Sequence, residues 1–251
     1  MKIVIPELEN PFMKEALTEF PDLEIVSAPD LETAATMVAE KQVDSMISGL
    51  DYSSRDVVIA YKNHIPLASP FFSSCFVCKR HNDSIIIADG GVNKHPSADQ
   101  LYTIVEDTAK LHELYFGTTP RIAMLSYSTK GSGGKNDDLE KIYFVIEKIR
   151  TNHPEWFIDG EMQLDAAVNP RVGEKKIPGS SVAGHANILI TPDLNSGNIL
   201  YKSLEQFAGY TVAGPIIQGF EVPLADLSRG SSVEDIRLTI DVIVKSFERS
   251  K

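Results

Sequence analysis

The chain is poor in cysteine, tryptophan and positive charge. Two cysteines and one tryptophan occur in 251 residues, while hydrophobic residues make up 43%. The chain should therefore fold around ordinary cores without disulfide staples. Cys75 and Cys78 form a CxxC, but FFSSCFVCKR around them has a strand's composition. Positions three apart in a strand face opposite sides, so the two thiols diverge instead of converging on a metal. The six histidines show no ligand spacing; His112 and Glu113 begin like a zinc-protease helix, yet position 116 is Phe116. No metal site and no permanently bound cofactor are expected. Lysine and arginine total 24 against 35 aspartates and glutamates, a formal net charge of -11. That balance argues against nucleic acid or an anionic membrane surface as a partner. No apolar run approaches the roughly 20 residues of a spanning helix. KIVIP is interrupted at Pro6 and followed by Glu7 and Glu9, unlike a secretion signal, so a cytoplasmic location is expected.

What is present is an alternation. The runs KIVIP, LEIVS, DSMISG, RIAMLSYS, ANILITP and VAGPIIQG read as strands, each followed by a helical pattern, which argues for a parallel sheet with crossover helices. FFSSCFVCKR and SIIIADGGV, separated by HND, read instead as a hairpin at the entry of a second subdomain. A helix is expected from an N-cap at Ser97 to a stop at Gly117. A final amphipathic helix, from Val233 to Lys251, carries Ile236, Ile240, Ile243 and Val244 on one face.

Three segments carry chemistry. DLSRGSSVEDI, from Asp226 to Ile236, places Ser228 and Arg229 before a helix start, where a hydroxyl, a planar guanidinium and free backbone N–H groups suit an anion. Asp235 can serve there as a base, or with Ser232 it can form a capping box that only satisfies orphan donors. After RIAMLSYS comes TKGSGGK, where Ser128, Thr129, Lys130, Gly131 and Ser132 offer hydroxyls, a charge and close backbone approach. It lacks Walker spacing, since Lys135 is followed by Asn136. The loop TPDLNSGN brings Asp193, Asn195 and Asn198 to a helix holding Lys202, with capping by Asn195 or Ser196 as the plainer reading.

Taken in order, SS at Ser73 and Ser74, AMLSYSTKGS, DGEMQLDAAVNP, SVAGHANILITPDLNSGNILYK, GPIIQG and LSRGSSVEDI resemble the phosphate acetyl/butyryltransferase family. The resemblance implies an α/β fold of two α/β/α subdomains with a cleft between them, like the isocitrate/isopropylmalate dehydrogenases. It also implies a homodimer through the second domain. The expected division is residues 1–72 plus 221–251 for the first domain and 73–220 for the second. The implied reaction moves a short acyl group, acetyl first, between coenzyme A and inorganic phosphate, with coenzyme A, acyl phosphate and phosphate as the partners. Asp235 is then the thiol's proton acceptor, Arg229 holds phosphate and developing charge, and Ser228 adds a hydrogen bond. Asp193, Asn195, Asn198 and Lys202 fall in the coenzyme A region. RGSSVEDI and GPIIQG look more like the acetyl branch, whereas NILYKSL looks more like the butyryl branch.

Two departures accompany the match. The first 70 residues are shorter than is usual in the family, and Ile59 and Ala60 stand where an arginine and a proline are expected. Arg55, one turn earlier, is a candidate stand-in or an exposed helix charge. A coenzyme A or phosphate-binding homologue with impaired turnover is the competing expectation. The chemistry also sets a demand: a thiol near ~8.5 and an aspartate near ~3.9 differ by about 4.6 units, or roughly 6 kcal/mol. The thiolate side must therefore receive most of the help, and Arg229 and the TKGSGG phosphate loop are expected to lower the barrier as negative charge builds on the carbonyl oxygen.

Overall fold

The computed structural model describes residues 1–251. Along the chain run β1 (Lys2–Val4), α1 (Pro11–Leu17), β2 (Glu24–Val26), α2 (Leu31–Ala39), β3 (Ser45–Ser48) and α3 (Ser54–His64). Next come β4 (Ser73–Arg80), β5 (Asp83–Ala88), α4 (Ala98–Phe116), β6 (Arg121–Leu125), α5 (Asp137–Asn152), β7 (Phe157–Met162), α6 (Leu164–Val168) and α7 (Pro170–Lys176). The chain finishes with β8 (Ile188–Ile190), α8 (Leu194–Ala208), β9 (Thr211–Gln218), β10 (Leu224–Asp226) and α9 (Val233–Ser250). Two units result, one of Met1–Phe72 with Thr211–Lys251 and the other of Ser73–Tyr210.

In the first unit the strand order is β2-β1-β3-β10-β9. All pairs are parallel except β10 with β9. Ile3, Val4 and Ile5 are wholly buried, as is every residue of β3, which is why these strands read as continuous apolar runs covered on both faces. Helices α1 and α9 pack together, as do α2 and α3, while α3 and α9 each contact β10, giving an α/β/α layering. The α9 face forms from Ile236, Ile240 and Ile243 as the periodicity predicts, but Thr239 and Val242 complete it and Val244 is only half-buried.

In the second unit the order is β4-β5-β8-β6-β7. β4 and β5 form the expected hairpin around His81 and Asn82, and β5, β8, β6 and β7 are parallel. Helix α4 has a capping box of Ser97 and Gln100 and stops at Gly117, whose φ of 67° favours glycine. Cys75 and Cys78 are buried in β4 and form no disulfide, and burial pushes the Cys75 thiol well above its usual value.

Two sequence expectations need correction. VAGPIIQG is followed by a strand, β10, rather than a helix. The return to the first unit accordingly begins at Thr211, not at 221, because β9 hydrogen-bonds to β10 and packs under α9. Its Val212 N and Gly214 N donate to Asp235 and to Thr239 Oγ1 at 2.8 and 3.0 Å. FIDGEM forms β7, a strand hidden from pattern reading by Gly160 and by Asp159 and Glu161, whose polar side chains are buried instead of facing water. No helix is long and apolar enough to cross a membrane.

Candidate functional site

Parallel strands deliver their C-terminal ends to one sheet edge, the usual place for ligands in α/β proteins. In the first unit β1, β3 and β10 bring residues 5–10, 49–53 and 227–232 to that edge. Glu7 is buried there and organises the β3 loop: its carboxylate accepts from Ser48 Oγ (2.9 Å), Gly49 N (2.8 Å), Asp51 N (2.6 Å) and Tyr52 N (3.1 Å). Gly49, at φ 113°, lies against Leu227 backbone and Asp226 Oδ1 so closely that any Cβ would clash. Leu227 N donates to Ser48 O at 2.5 Å. The chain leaving β10 therefore starts from a fixed point. Ser228, Arg229 and Gly230 follow, all exposed, in a turn closed by Ser231 N on Ser228 O at 2.9 Å. Arg229 and Arg55 are exposed and neither is drawn into an ion pair. Arg55 sits in the first turn of α3, whose N-cap Ser53 accepts from Asp56 N at 3.2 Å.

Asp235 is built differently from a free base. Its Oδ2 accepts from Ser232 N (2.9 Å) and Ser232 Oγ (2.6 Å), and its Oδ1 accepts from Val212 N (2.8 Å). The capping-box reading of SSVED is thus realised in full. An ionised carboxylate offers about four acceptor positions, so these three donors leave one open.

The second unit's loop is the reverse case. Ser128 Oγ donates to Glu161 Oε1 at 2.5 Å and accepts from Gly133 N at 2.7 Å. Gly131 N donates to Glu161 Oε1 at 2.8 Å, Thr129 N to Ser132 Oγ at 2.9 Å, and Lys130 N to Glu161 O at 3.2 Å. Lys130 Nζ lies 2.5 Å from Asp159 Oδ1 and donates to Gly160 O at 2.9 Å. Tyr143 OH completes the set at 2.5 Å from Glu161 Oε2. Donors expected to face an anion are consumed by the protein's own carboxylates. Burial pushes Glu161 up, but hydrogen bonds from Ser128, Tyr143 and Gly131 outweigh it and hold the carboxyl below its usual value. Asp159 is likewise pushed up by burial and pulled lower still by Lys130, Ser180 and Gly160. The same bond raises the Tyr143 phenol to about 12.

At that unit's β8 end, the α8 cap is Asp193, accepting from Ser196 N at 2.8 Å, rather than Asn195 or Ser196. Asn195 and Lys202 are exposed, and Asn198 Nδ2 donates to Gly90 O at 3.1 Å. Gly90 belongs to a loop gathered by buried Asp89, which accepts from Gly91 N, Val92 N and Asn93 N at 2.9, 3.1 and 3.0 Å and also from Ser74 Oγ.

Sequence reasoning missed Glu7, Asp89, Asp226, Asp159 and Glu161. In four of the five a signal existed: a carboxylate directly ends or soon follows an apolar strand run, as in KIVIPE, IIIAD, PLAD and FID. An acid at that place is buried, and Glu7, Asp89 and Asp159 collect donors there.

The sequence pattern described as Phosphate acetyl/butaryl transferase matches residues 13–244. The phosphate acetyltransferase of Treponema pallidum (strain Nichols) is 40% identical over 218 residues, 82% of this chain and 64% of that protein. The chain thus spans less than two thirds of that relative's length. A phosphotransacetylase structure from Streptococcus pyogenes aligns with a TM-score of 0.85 at 29% identity, over 99% of this chain and 94% of that one. A 4-hydroxythreonine-4-phosphate dehydrogenase from Klebsiella pneumoniae shares the fold at a TM-score of 0.57 and 10% identity, over 100% of this chain and 90% of that one. A match across nearly the whole chain, with the ordered motifs mounted on the strand ends described above, shows that the chain belongs to the phosphate acetyl/butaryl transferase family.

Proposed function

We propose that the protein moves a short acyl group, acetyl foremost, between coenzyme A and inorganic phosphate. The observation that carries this reading is the exposed, unpaired Arg229 beside Ser228, leaving the C-terminal edge of parallel strands from a backbone seat fixed by Gly49. A guanidinium held so can take two phosphate oxygens at once.

Toward acyl phosphate, a phosphate oxygen attacks the thioester carbonyl carbon. The carbonyl oxygen gains charge, the C–S bond breaks, and the departing thiolate is protonated. In the opposite direction the thiol gives its proton to Asp235, the thiolate attacks the acyl phosphate carbonyl, and phosphate leaves. Arg229 stabilises the phosphate and the developing negative charge, and the Ser228 hydroxyl donates to the reacting region. Asp235 brings the one acceptor position that its cap leaves open. Arg55 stands as the second phosphate cation, on the same sheet edge. In the second unit, Asp193, Asn195, Asn198 and Lys202 are assigned to coenzyme A, with Asn195 and Lys202 the exposed members. Ser128, Thr129, Lys130, Gly131 and Ser132 reach substrate in this reading only by exchanging bonds now made to Glu161 and Asp159. No resident cofactor enters the reaction. A homodimer through the second unit accords with Ile199 and Phe207 on α8, exposed at 65% and 91%, and a cytoplasmic location completes the reading.

One observation favours the impaired-homologue alternative: Ile59, where the family has arginine, is an apolar side chain 43% exposed on α3. Thiol release from acetyl-, propionyl- or butyryl-coenzyme A in the presence of phosphate separates the two. Phosphate-dependent release supports acyl transfer and ranks the acyl groups, whereas coenzyme A binding without turnover supports the alternative.

A further inference from the structure

Asp226 ends β10, two residues before Ser228, and is 1% exposed. Its Oδ1 has no hydrogen-bond partner, and a side chain at Gly49 would run into that same atom. The groups acting on it from neighbouring elements are few. Ser54, exposed at the head of α3, pulls the carboxyl toward its charged form. Glu7, beyond β1, adds an anion already supplied with four donors. Tyr61 of α3 places its hydroxyl on Ala225 O at 2.7 Å, and its own titration is raised chiefly by burial, then by Asp226 and Glu7. No cation is among these groups. A buried carboxylate with an unpartnered oxygen and an anionic neighbour is costly to keep charged.

We infer that Asp226 is a positioning residue for the Ser228–Arg229 loop: the neutral carboxyl keeps the loop on its seat, and loss of the proton unseats it. This rests on the acyl-transfer reading above. Burial, with Ser54 pulling down and Glu7 pushing up, raises Asp226 to about 7, so the change falls in the working range of pH. Because Ser54 favours the charged form, deleting its hydroxyl moves that change to higher pH.

The test is the pH profile of kcat/KM for phosphate, with kcat and KM separated, for the wild type, Asp226→Asn and Ser54→Ala. The wild type should lose kcat/KM above neutrality, mainly through a rising KM. Asp226→Asn, a permanently neutral isostere, should lack that descending limb, and Ser54→Ala should shift it upward. A residue acting only in folding would alter melting temperature and leave the profile's shape unchanged. Superposable Asp226→Asn and wild-type profiles overturn the inference alone. If Asp226→Asn does not fold, an unmoved limb in Ser54→Ala overturns it equally. Absence of wild-type turnover overturns the acyl-transfer reading and this inference with it.

Discussion

The loops after β6 and after β10 look alike in sequence, each offering serine, glycine and a cation, yet they are in opposite states. In STKGSGG the Ser128 hydroxyl, the backbone N–H groups of 129 to 131 and the Lys130 ammonium are spent on internal acceptors, chiefly Glu161 and Asp159, and Ser132 Oγ accepts from Thr129 N. In SRGSS the cap consumes Ser232 and Asp235, while Ser228 and Arg229 stay exposed. A donor-rich loop is a site for a foreign anion only where the fold has not already supplied one.

The largest effect that would sharpen this contrast is in the open loop. Arg229→Ala should lower kcat/KM by about 10²–10³, the usual cost of removing a donor to developing charge, with a melting temperature near wild type because the side chain is exposed. Steady-state thiol release and a thermal melt check both halves. Next in size, Glu161→Ala leaves Ser128, Gly131 and Tyr143 without their acceptor and should cost about 3 kcal/mol in denaturant unfolding. Glu161 is held below its ordinary value, so its stabilisation is present above the unfolded-state value and lost as pH falls through the lowered folded one. The Glu161→Ala melt should accordingly differ from wild type at neutral pH and converge with it in acid.

Smaller changes separate cap from chemistry. Asp235→Asn should cost about 1–2 kcal/mol as a lost cap and lower turnover about 100-fold as a lost base. Ser232→Ala should show a similar loss of stability with turnover close to wild type. Equal turnover in Asp235→Asn and wild type would leave that residue a cap and nothing more. The smallest effect belongs to the closed loop: Lys130 is 41% exposed at its side chain, and Lys130→Ala should cost less than about 1 kcal/mol. A loss of kcat/KM as large as that of Arg229→Ala would show that the loop opens to receive substrate.

Most of the fold was legible because buried parallel strands announce themselves: Ile3 to Ile5, Met46 and Ile47, and Ile188 to Ile190 are unbroken apolar runs. β7 was not, since its middle is Asp159-Gly160-Glu161, and β10 was not, since three residues carry no period. The capping box at Ser232 and Asp235 could be read because its partners are local in sequence. The closure of the Ser128–Ser132 loop could not, because Glu161 lies about 30 residues away and only the parallel pairing of β6 with β7 brings it there. The burial of Asp226 has no local signature, since it follows from β10 lying between β3 and β9.

The most direct test of the open-loop assignment is phosphate-dependent thiol release from acetyl-coenzyme A by the wild type, Arg229→Ala and Lys130→Ala side by side. The account predicts turnover in the wild type, a loss of about 10² or more in Arg229→Ala and a minor change in Lys130→Ala. Full activity in Arg229→Ala, or the larger loss in Lys130→Ala, would contradict it.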